Sequence, residues 1–490
     1  VNISDFINRN FSKAILIVLV LILSFIVYKV TMIAGPVIGI GYSLVPFFVI
    51  MLAVMIKRPH MAMLILFIAN YFAAGISRYV YGFPPGIFMD GMLGLVILVV
   101  VMQNFNRESS IDVRSSLNPL MFVSFVWLLY CTLQLLNPGM NVMAWMTNVR
   151  GIGIYFFIVV SLVSIVLRQY KYLKKMLFVW ALLSLFAVGK ALMQRYWGFD
   201  AAEWRWLEGG GRTTHIINSG IRYFSFFTDA ANFGSGMGFS SVVFFISSFF
   251  IEEKWFKRLL RVASFLCIYA MLMSGTRASV VIPFVGLTVY AVLSKNIRAI
   301  TITFVSIIFV FAFLKYTYIG HSNQYIRRAR SVFNPNDASL VVRLNNQRIL
   351  REEMKGKPFG IGVGMMRGHA DTYTPHPVLS KIPHDSWYVL IWVELGIVGL
   401  VLYISILLFI AGYGGYLVMF RLRNRELKGI IASFVGGVSG LYVAAYTLEI
   451  FGQFPNAFII FTTMTFIFLS PHFDKELEAG MGRELTNSRE

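Results

Sequence analysis

The chain has 490 residues, of which 57% are hydrophobic and 13% charged, and its mean hydropathy is +0.70. A soluble domain carries roughly 25% charged residues, so this composition leaves too few charges to solvate a surface of that size and excludes a soluble globular protein. The net charge of +20 does not call for nucleic acid, because Lys and Arg collect in the cytoplasmic loops of membrane proteins; the membrane is the expected partner.

A membrane span needs ~20 mostly apolar residues, and by length and hydropathy the sequence predicts about fourteen. In chain order their cores are Ala14–Ala34, Val37–Ile56, Met61–Ile76, Ile87–Gln103, Pro119–Leu136, Ile152–Leu167, Met176–Leu192, Ala230–Phe250, Leu259–Ser274, Val280–Ser294, Ile300–Tyr316, Trp387–Phe420, Ile430–Leu448 and Ala457–Ser470. Val1–Lys13 is polar and no A-x-A signal follows the first apolar run, so that run reads as a retained anchor. Cys131 and Cys267 lie inside apolar stretches and read as small core residues, with no disulfide framework.

The loops alternate in character. Lys57-Arg58, Arg168 with Lys171, Lys174 and Lys175, Lys254 to Arg261, Lys295 with Arg298, and Arg421 to Lys428 fall on every second loop. The positive-inside rule puts these loops and both termini in the cytoplasm. The opposite set holds the long loops, Gln194–Asp229 and Thr317–Ser386, rich in Trp, Tyr and Arg. Long irregular loops in a packed membrane protein usually carry function.

Four segments on that outer side carry chemistry. In the first, Arg222 stands just before a span that Asp229 and Asn232 enter, followed by Gly234, Ser235, Gly236 and Gly238, which let a neighbouring helix approach closely. Asp229 reads equally as a helix cap. The second is the short turn Ser274-Gly275-Thr276-Arg277 with Ser279, where an arginine at the membrane surface is costly unless paired or functional; the hydroxyls around it are compatible with an anion. In the third, Arg343, Gln347 and Arg351 recur at four-residue spacing with Arg348 between them, on a predicted helix ending at Lys357-Pro358. Arg327, Arg328 and Arg330 lie upstream, where lipid headgroups and a substrate are equal alternatives. Basic residues outside the membrane need an anionic partner, and guanidinium forks suit phosphate and diphosphate. The fourth runs from Pro383-His384-Asp385 to Glu394-Leu395-Gly396 and Gly399. His384 offers a proton acceptor or donor near neutral pH, and an intramembrane carboxylate such as Glu394 is a functional candidate.

His369, Asp371, His376 and His384 match no standard metal spacing, so no metal site and no cofactor is expected. Gly360-Ile361-Gly362-Val363-Gly364 lacks the strand–turn–helix frame of a nucleotide loop. Trp197, Trp204 and Trp206 read either as sugar platforms or as an interfacial belt.

In order and rough spacing, these segments resemble the O-antigen ligase and O-antigen polymerase superfamily of bacterial membrane glycosyltransferases. The resemblance rests on S-G-[ST]-R at Ser274–Arg277, the arginine-led helix from Arg343, P-[LF]-x-G-x-G at Pro358–Gly362, P-H-[ND] at Pro383–Asp385 and E-x-G-x-x-G at Glu394–Gly399. The Arg222 segment is similar to a further region of that family. Departures are Asp385 where Asn is common, and Ser225 with Asp229–Asn232 where a Gly and a Pro-Asn pair are frequent. The first seven spans match in hydropathy alone.

The resemblance implies an all-α, GT-C-like transmembrane bundle in the bacterial inner membrane, its active site facing the periplasm. It implies N-terminal helices over 1–220, a catalytic membrane core over 221–316 and 384–470, a periplasmic loop over 317–383 and a cytoplasmic tail over 471–490. It further implies an undecaprenyl diphosphate-linked glycan as donor, lipid A-core or a second lipid-linked glycan as acceptor, and inverting, metal-independent transfer. On this reading His384, Arg277 and Arg343 are catalytic. Arg222, Arg348, Arg351, Asp229, Asn232 and Glu394 bind substrate or shape the site. A ligase is the first expectation, a polymerase the second, and a protein O-oligosaccharyltransferase is a third acceptor class. From another class, a transporter or flippase would place charge at mid-depth, where Lys190 and Glu394 are the main exceptions to an apolar run, and would often show an internal repeat.

Overall fold

The computed structural model describes residues 49–80, 82–105, 116–217, 220–331, 338–366, 378–379, 382 and 386–487, together with 24, 25, 28, 29 and 32. Packing divides the chain into two units, Val1–Ala62 with Leu98–Ser110, and Met63–Ile97 with Ile111–Glu490. The site described below lies in the second.

The described chain is helical apart from one two-stranded hairpin. In order, the helices are α1 (Pro59–Tyr79), α2 (Pro85–Phe105), α3 (Pro119–Leu133), α4 (Val142–Val149), α5 (Tyr155–Val166), α6 (Tyr170–Tyr196), α7 (Ala201–Trp206) and α8 (Arg212–His215). After the hairpin of β1 (Ile216–Ile217) and β2 (Gly220–Ile221) come α9 (Ala230–Ser247), α10 (Lys254–Met273), α11 (Val281–Ser294), α12 (Ile297–Tyr316), α13 (Gln324–Arg330), α14 (Ala338–Glu353), α15 (Trp387–Tyr416), α16 (Arg425–Ala444) and α17 (Asn456–Asn487).

Among the described residues, 11 helices are long and apolar enough to cross a membrane. They coincide with the expected spans from Met61–Ile76 onward. The one other long helix, α10, contains the expected Leu259–Ser274 span and carries Lys254, Lys257, Arg258 and Arg261 in its first turns. Of the expected span Ala14–Ala34 only residues 24, 25, 28, 29 and 32 are described, and of Val37–Ile56 only residues 49–56, which are helical.

Small residues explain which helices form the centre. Along α9 every residue but Ala231 and Phe245 is buried. A side chain at Gly236 would overlap the Asn456 amide of α17, and one at Gly234 would overlap the Ser274 hydroxyl. α11 and α16 meet backbone to backbone, with Gly436 against the carbonyl of Gly286 and Gly440 against that of Ile282. Without a hydrophobic drive between helices in lipid, such close approach and its dispersion contacts hold the bundle. By contrast, α12 has no buried residue and packs along one side only, against α11 and α13.

Within the second unit, the basic loops around Lys174, Glu253 and Arg423 gather at one end. Lys174 pairs with Glu253 at 2.5 Å and with Glu426 at 2.7 Å. Tyr170 donates to Glu426, and Asp474 of α17 accepts the backbone N–H groups of Arg423 and Asn424. The long loops meet at the other end.

Candidate functional site

The loop from Asp200 to Asp229 is a compact cap. Asp200 caps α7, forming a reciprocal box with Glu203, and both carboxylates hold Lys190 at 2.9 and 3.0 Å. Lys190 is therefore one member of an ion-paired corner that also includes Tyr79, which explains its place at the end of a span. A groove of about 570 Å³ lined by Tyr79, Leu182, Phe186, Lys190 and Phe226 opens beside it. Leu207, Phe224 and Ala230 form the cap's core, against Phe199, Trp206 and Ile216. Trp206 thus packs inward, while Trp197 is exposed.

Two residues outside the sequence expectations hold this cap. Arg78, at the last turn of α1, is buried and donates to the carbonyls of Ser225, Phe227 and Thr228. Its guanidinium lies 4.6 Å from the Trp206 ring centre and 4.4 Å from that of Phe224, a stacked geometry that stabilises a buried cation. His215 is also buried; its Nε2 accepts the N–H of Ala230 at 3.1 Å and its Nδ1 lies 2.8 Å from the carbonyl of Gly211. That pair of contacts fits a neutral ring protonated on Nδ1. Burial pushes the His215 pKa down to about 4. With Asp229 Oδ1 accepting from Ala231 and Asn232, the first N–H groups of α9 are satisfied.

Asp229 is thus the helix cap of α9. Asn232 is buried and bonds the carbonyl of Phe454 at 2.6 Å, Thr228 at 2.7 Å and the amide of Asn456. It locks α9 to α17.

Arginines converge at the Ser274–Arg277 turn. Arg222 donates to the Thr276 hydroxyl at 3.1 Å, the Thr214 carbonyl at 3.0 Å and the Ser274 carbonyl at 3.4 Å. Arg277, at the start of the turn into α11, donates to Ser331 at 3.0 Å. Arg328 of α13 is buried and reaches the Gly220 carbonyl at 3.4 Å. Gly275 sits between them with φ of +60°, and a Cβ there would overlap Arg328 Nη1 and lie 3.3 Å from Arg222 Cγ. Burial first, then the neighbouring Arg222 and Arg277, push the Arg328 pKa down to about 10. Burial lowers that of Arg222 as well, with Asp229 opposing and Arg277 reinforcing the shift.

The Ser274 and Thr276 hydroxyls are structural rather than free donors, whereas the buried Ser279 Oγ makes no hydrogen bond among the described residues. Ser274 Oγ donates to Met271 and accepts from the N–H of Thr276, and Thr276 Oγ1 donates to Ala230. The charge at the site is therefore carried by guanidinium groups on a turn whose shape the hydroxyls fix. Arg327 is exposed, and Arg330 caps the chain after α12 through Ile319 at 2.7 Å and Thr317 at 3.3 Å.

Arg343 is half-buried on α14, with its Nε making no hydrogen bond among the described residues. Arg348 and Arg351 on the same helix are exposed. His384, Pro383 and Asp385 lie outside the described residues, as do His369, Asp371 and His376. Among the described residues there is no group of three or more His, Cys, Asp or Glu placed to hold a metal ion.

The remaining two motifs interlock. The helix α15 is broken at Gly396, whose φ of 73° and ψ of −178° are not helical. The break leaves carbonyls without intrahelical partners, which lipid cannot satisfy. The glycine turn supplies them: Ile361 N–H bonds Val393 at 3.0 Å, Gly362 N–H bonds Glu394 at 2.9 Å, and Val398 N–H returns to Pro358 at 3.2 Å. Tyr130 completes the set by donating to Leu395 at 2.7 Å. Gly360 and Gly396 face each other so closely that a side chain on either would overlap backbone atoms of the other strand. Glu394 is fully buried at this junction. The glycine-rich run is thus a plug for a helix break.

Apolar helices in this number, with buried and half-buried arginines gathered where the long loops meet, define a multi-pass membrane protein with a cationic site at one end of its bundle. Residues 262–404 match the protein-family model described as O-antigen ligase, and this match supports the O-antigen ligase superfamily, with a ligase- or polymerase-type function. The matched stretch includes the Ser274–Arg277 turn, Arg328, Arg343, the glycine turn and the break in α15; Arg222, Asp229 and Asn232 precede it. No curated protein matches the chain.

Proposed function

We propose that this protein is a glycosyltransferase of the bacterial inner membrane that moves a glycan from undecaprenyl diphosphate to an acceptor at the periplasmic face, with lipid A-core as the first acceptor. The observation that carries the reading is the convergence of Arg222 and Arg277 on one short turn at a bundle end. A lipid diphosphate leaving group accumulates charge on its phosphate oxygens as the glycosidic bond breaks. Guanidinium groups fixed beforehand in a water-poor mouth stabilise that charge without reorganising during the reaction.

In this mechanism Arg277 and Arg222 hold the diphosphate and Arg343 approaches it from α14. The acceptor hydroxyl attacks the anomeric carbon from the opposite face, so the configuration inverts, and His384 takes its proton. Arg348 and Arg351 lie further out on α14, where they meet the glycan or its acceptor. Asp229 and Asn232 fix the N-terminus of α9 beside Arg222, and Glu394 marks the junction that seats the glycine turn. The residues over 221–316 and 384–470 form the catalytic core. No step calls for a metal.

The test is a transfer reaction with purified protein in lipid and an undecaprenyl diphosphate-linked glycan. Lipid A-core and a second lipid-linked glycan are offered separately, and products are resolved by gel. Product on lipid A-core supports the ligase; a ladder from the lipid-linked glycan alone makes the protein a polymerase. Absence of donor binding overturns the proposal.

A further inference from the structure

Arginines 327, 328 and 330 occupy one seven-residue helix and have three different fates. Arg327 faces outward, Arg330 caps the chain after α12, and Arg328 points into the bundle with 6% of its surface exposed. Burying a cation is costly unless something at the site rewards it. Its position is tightly specified. Asn323 caps the start of α13. At the end, Ser331 donates to the carbonyl of Arg328 itself at 2.9 Å while accepting from Arg277 at 3.0 Å. Gly220 provides a carbonyl to Arg328 Nη2, and Gly275 leaves the room its guanidinium fills. Arg222 Cγ also approaches the same Gly275, lying 3.3 Å from where a Cβ would stand.

From this geometry we infer that Arg328 is a third guanidinium of the diphosphate cradle, matched to the negative charge that appears as the donor releases its glycan. The inference rests on the reading of the site as one that transfers glycan from a lipid diphosphate. In the bound donor the diphosphate is esterified at both ends and carries two negative charges. The acceptor oxygen forms its bond to the anomeric carbon while the bond from that carbon to the phosphate oxygen breaks. The electron pair stays on the phosphate oxygen, and the hydroxyl proton leaves to a base. The product diphosphate therefore carries up to three charges. Arg222 and Arg277 suffice for the donor; a third cation, held at a cost by burial and by its two neighbours, is favourable mainly in the transition state and product. An interaction that strengthens along the reaction lowers the barrier rather than tightening donor binding.

Arg328→Gln and Arg328→Lys, purified in lipid, test this by two readouts. The first is binding of undecaprenyl diphosphate against undecaprenyl monophosphate. The second is the split of transfer between kcat and donor KM. Loss of one charge-assisted hydrogen bond corresponds to about tenfold in affinity. Arg328→Gln is expected to weaken the diphosphate lipid about tenfold, leave the monophosphate within about twofold, and lower kcat with donor KM nearly unchanged. Arg328→Lys, which keeps the charge, restores part of each loss at an unchanged melting temperature. Equal loss for both lipids, a rise in donor KM alone, a loss that follows a fall in melting temperature, or wild-type behaviour in Arg328→Gln would overturn the inference. If the wild-type protein transfers glycan but Arg328→Gln matches it, the proposed function stands and this role falls. If the wild-type protein binds no lipid diphosphate, both fall.

Discussion

Two glycine turns dock against helices in this protein, and they do opposite things. At Ser274–Arg277 the turn presents guanidinium groups, with the Ser274 and Thr276 hydroxyls donating to backbone carbonyls. At Pro358–Gly362 the turn presents backbone N–H groups, which fill the carbonyls of a broken helix. Both are short, glycine-dependent and part of the same matched stretch. One is suited to a ligand and the other holds the scaffold, so mutations in the two turns should separate activity from stability.

The largest expected effect is at the first turn. Arg277→Ala should lower transfer on the order of a hundredfold or more, the scale seen when a preorganised charge-stabilising donor is removed, with the melting temperature held within a few degrees. A parallel fall in transfer and folded yield would erase the contrast. At the second turn, Gly360→Ala forces a side chain into the Glu394 carbonyl at a φ of +82°. It should destabilise by about 3 kcal/mol or more, read as lost folded protein in detergent, with transfer reduced in proportion to what remains folded.

A pH series sharpens the comparison from the cap beside the first turn. His215 is held neutral in the folded protein, with its pKa lowered to about 4 from an ordinary value of 6.5. A depressed histidine pKa means that the unfolded state binds the proton more readily. Its contribution is therefore fully present above about pH 6.5 and is lost as pH falls towards 4. At ~1.36 kcal/mol per pKa unit the loss reaches about 3 kcal/mol at most. Proteolysis of the 200–228 region should accelerate over that window, and His215→Asn should flatten the pH dependence. The smallest effect is at the break: Tyr130→Phe removes the hydrogen bond to Leu395 and should cost about 1 kcal/mol without a change in donor affinity.

Much of this was legible in the sequence, for reasons that differ by residue. The spans follow from hydropathy alone, because a lipid-facing helix such as α12 is apolar on all sides. Arg277 was readable because a charge with almost no loop to carry it away needs a partner, and Arg222 because it stands just before a span. Arg328 was not separable from Arg327 and Arg330, since the direction each faces depends on where α13 lands. Arg78 looks in sequence like any cation closing a span, yet it clamps three carbonyls of the cap. His215 carried no motif; its role comes from meeting the N-terminus of α9. The hydroxyls of Ser274 and Thr276 suggested anion donors, but their nearest acceptors are backbone carbonyls. The break at Gly396 was hidden inside a long apolar run, which reads as one continuous span.

The central claim is that the diphosphate binds at the arginine turn. It is tested most directly by an electron cryomicroscopy structure of the protein in lipid with bound undecaprenyl diphosphate-linked glycan. The account predicts phosphate oxygens within hydrogen-bonding distance of Arg222 and Arg277, with the glycan leading towards α14. Diphosphate density elsewhere, such as in the groove beside Lys190, with the arginine turn empty, would contradict it.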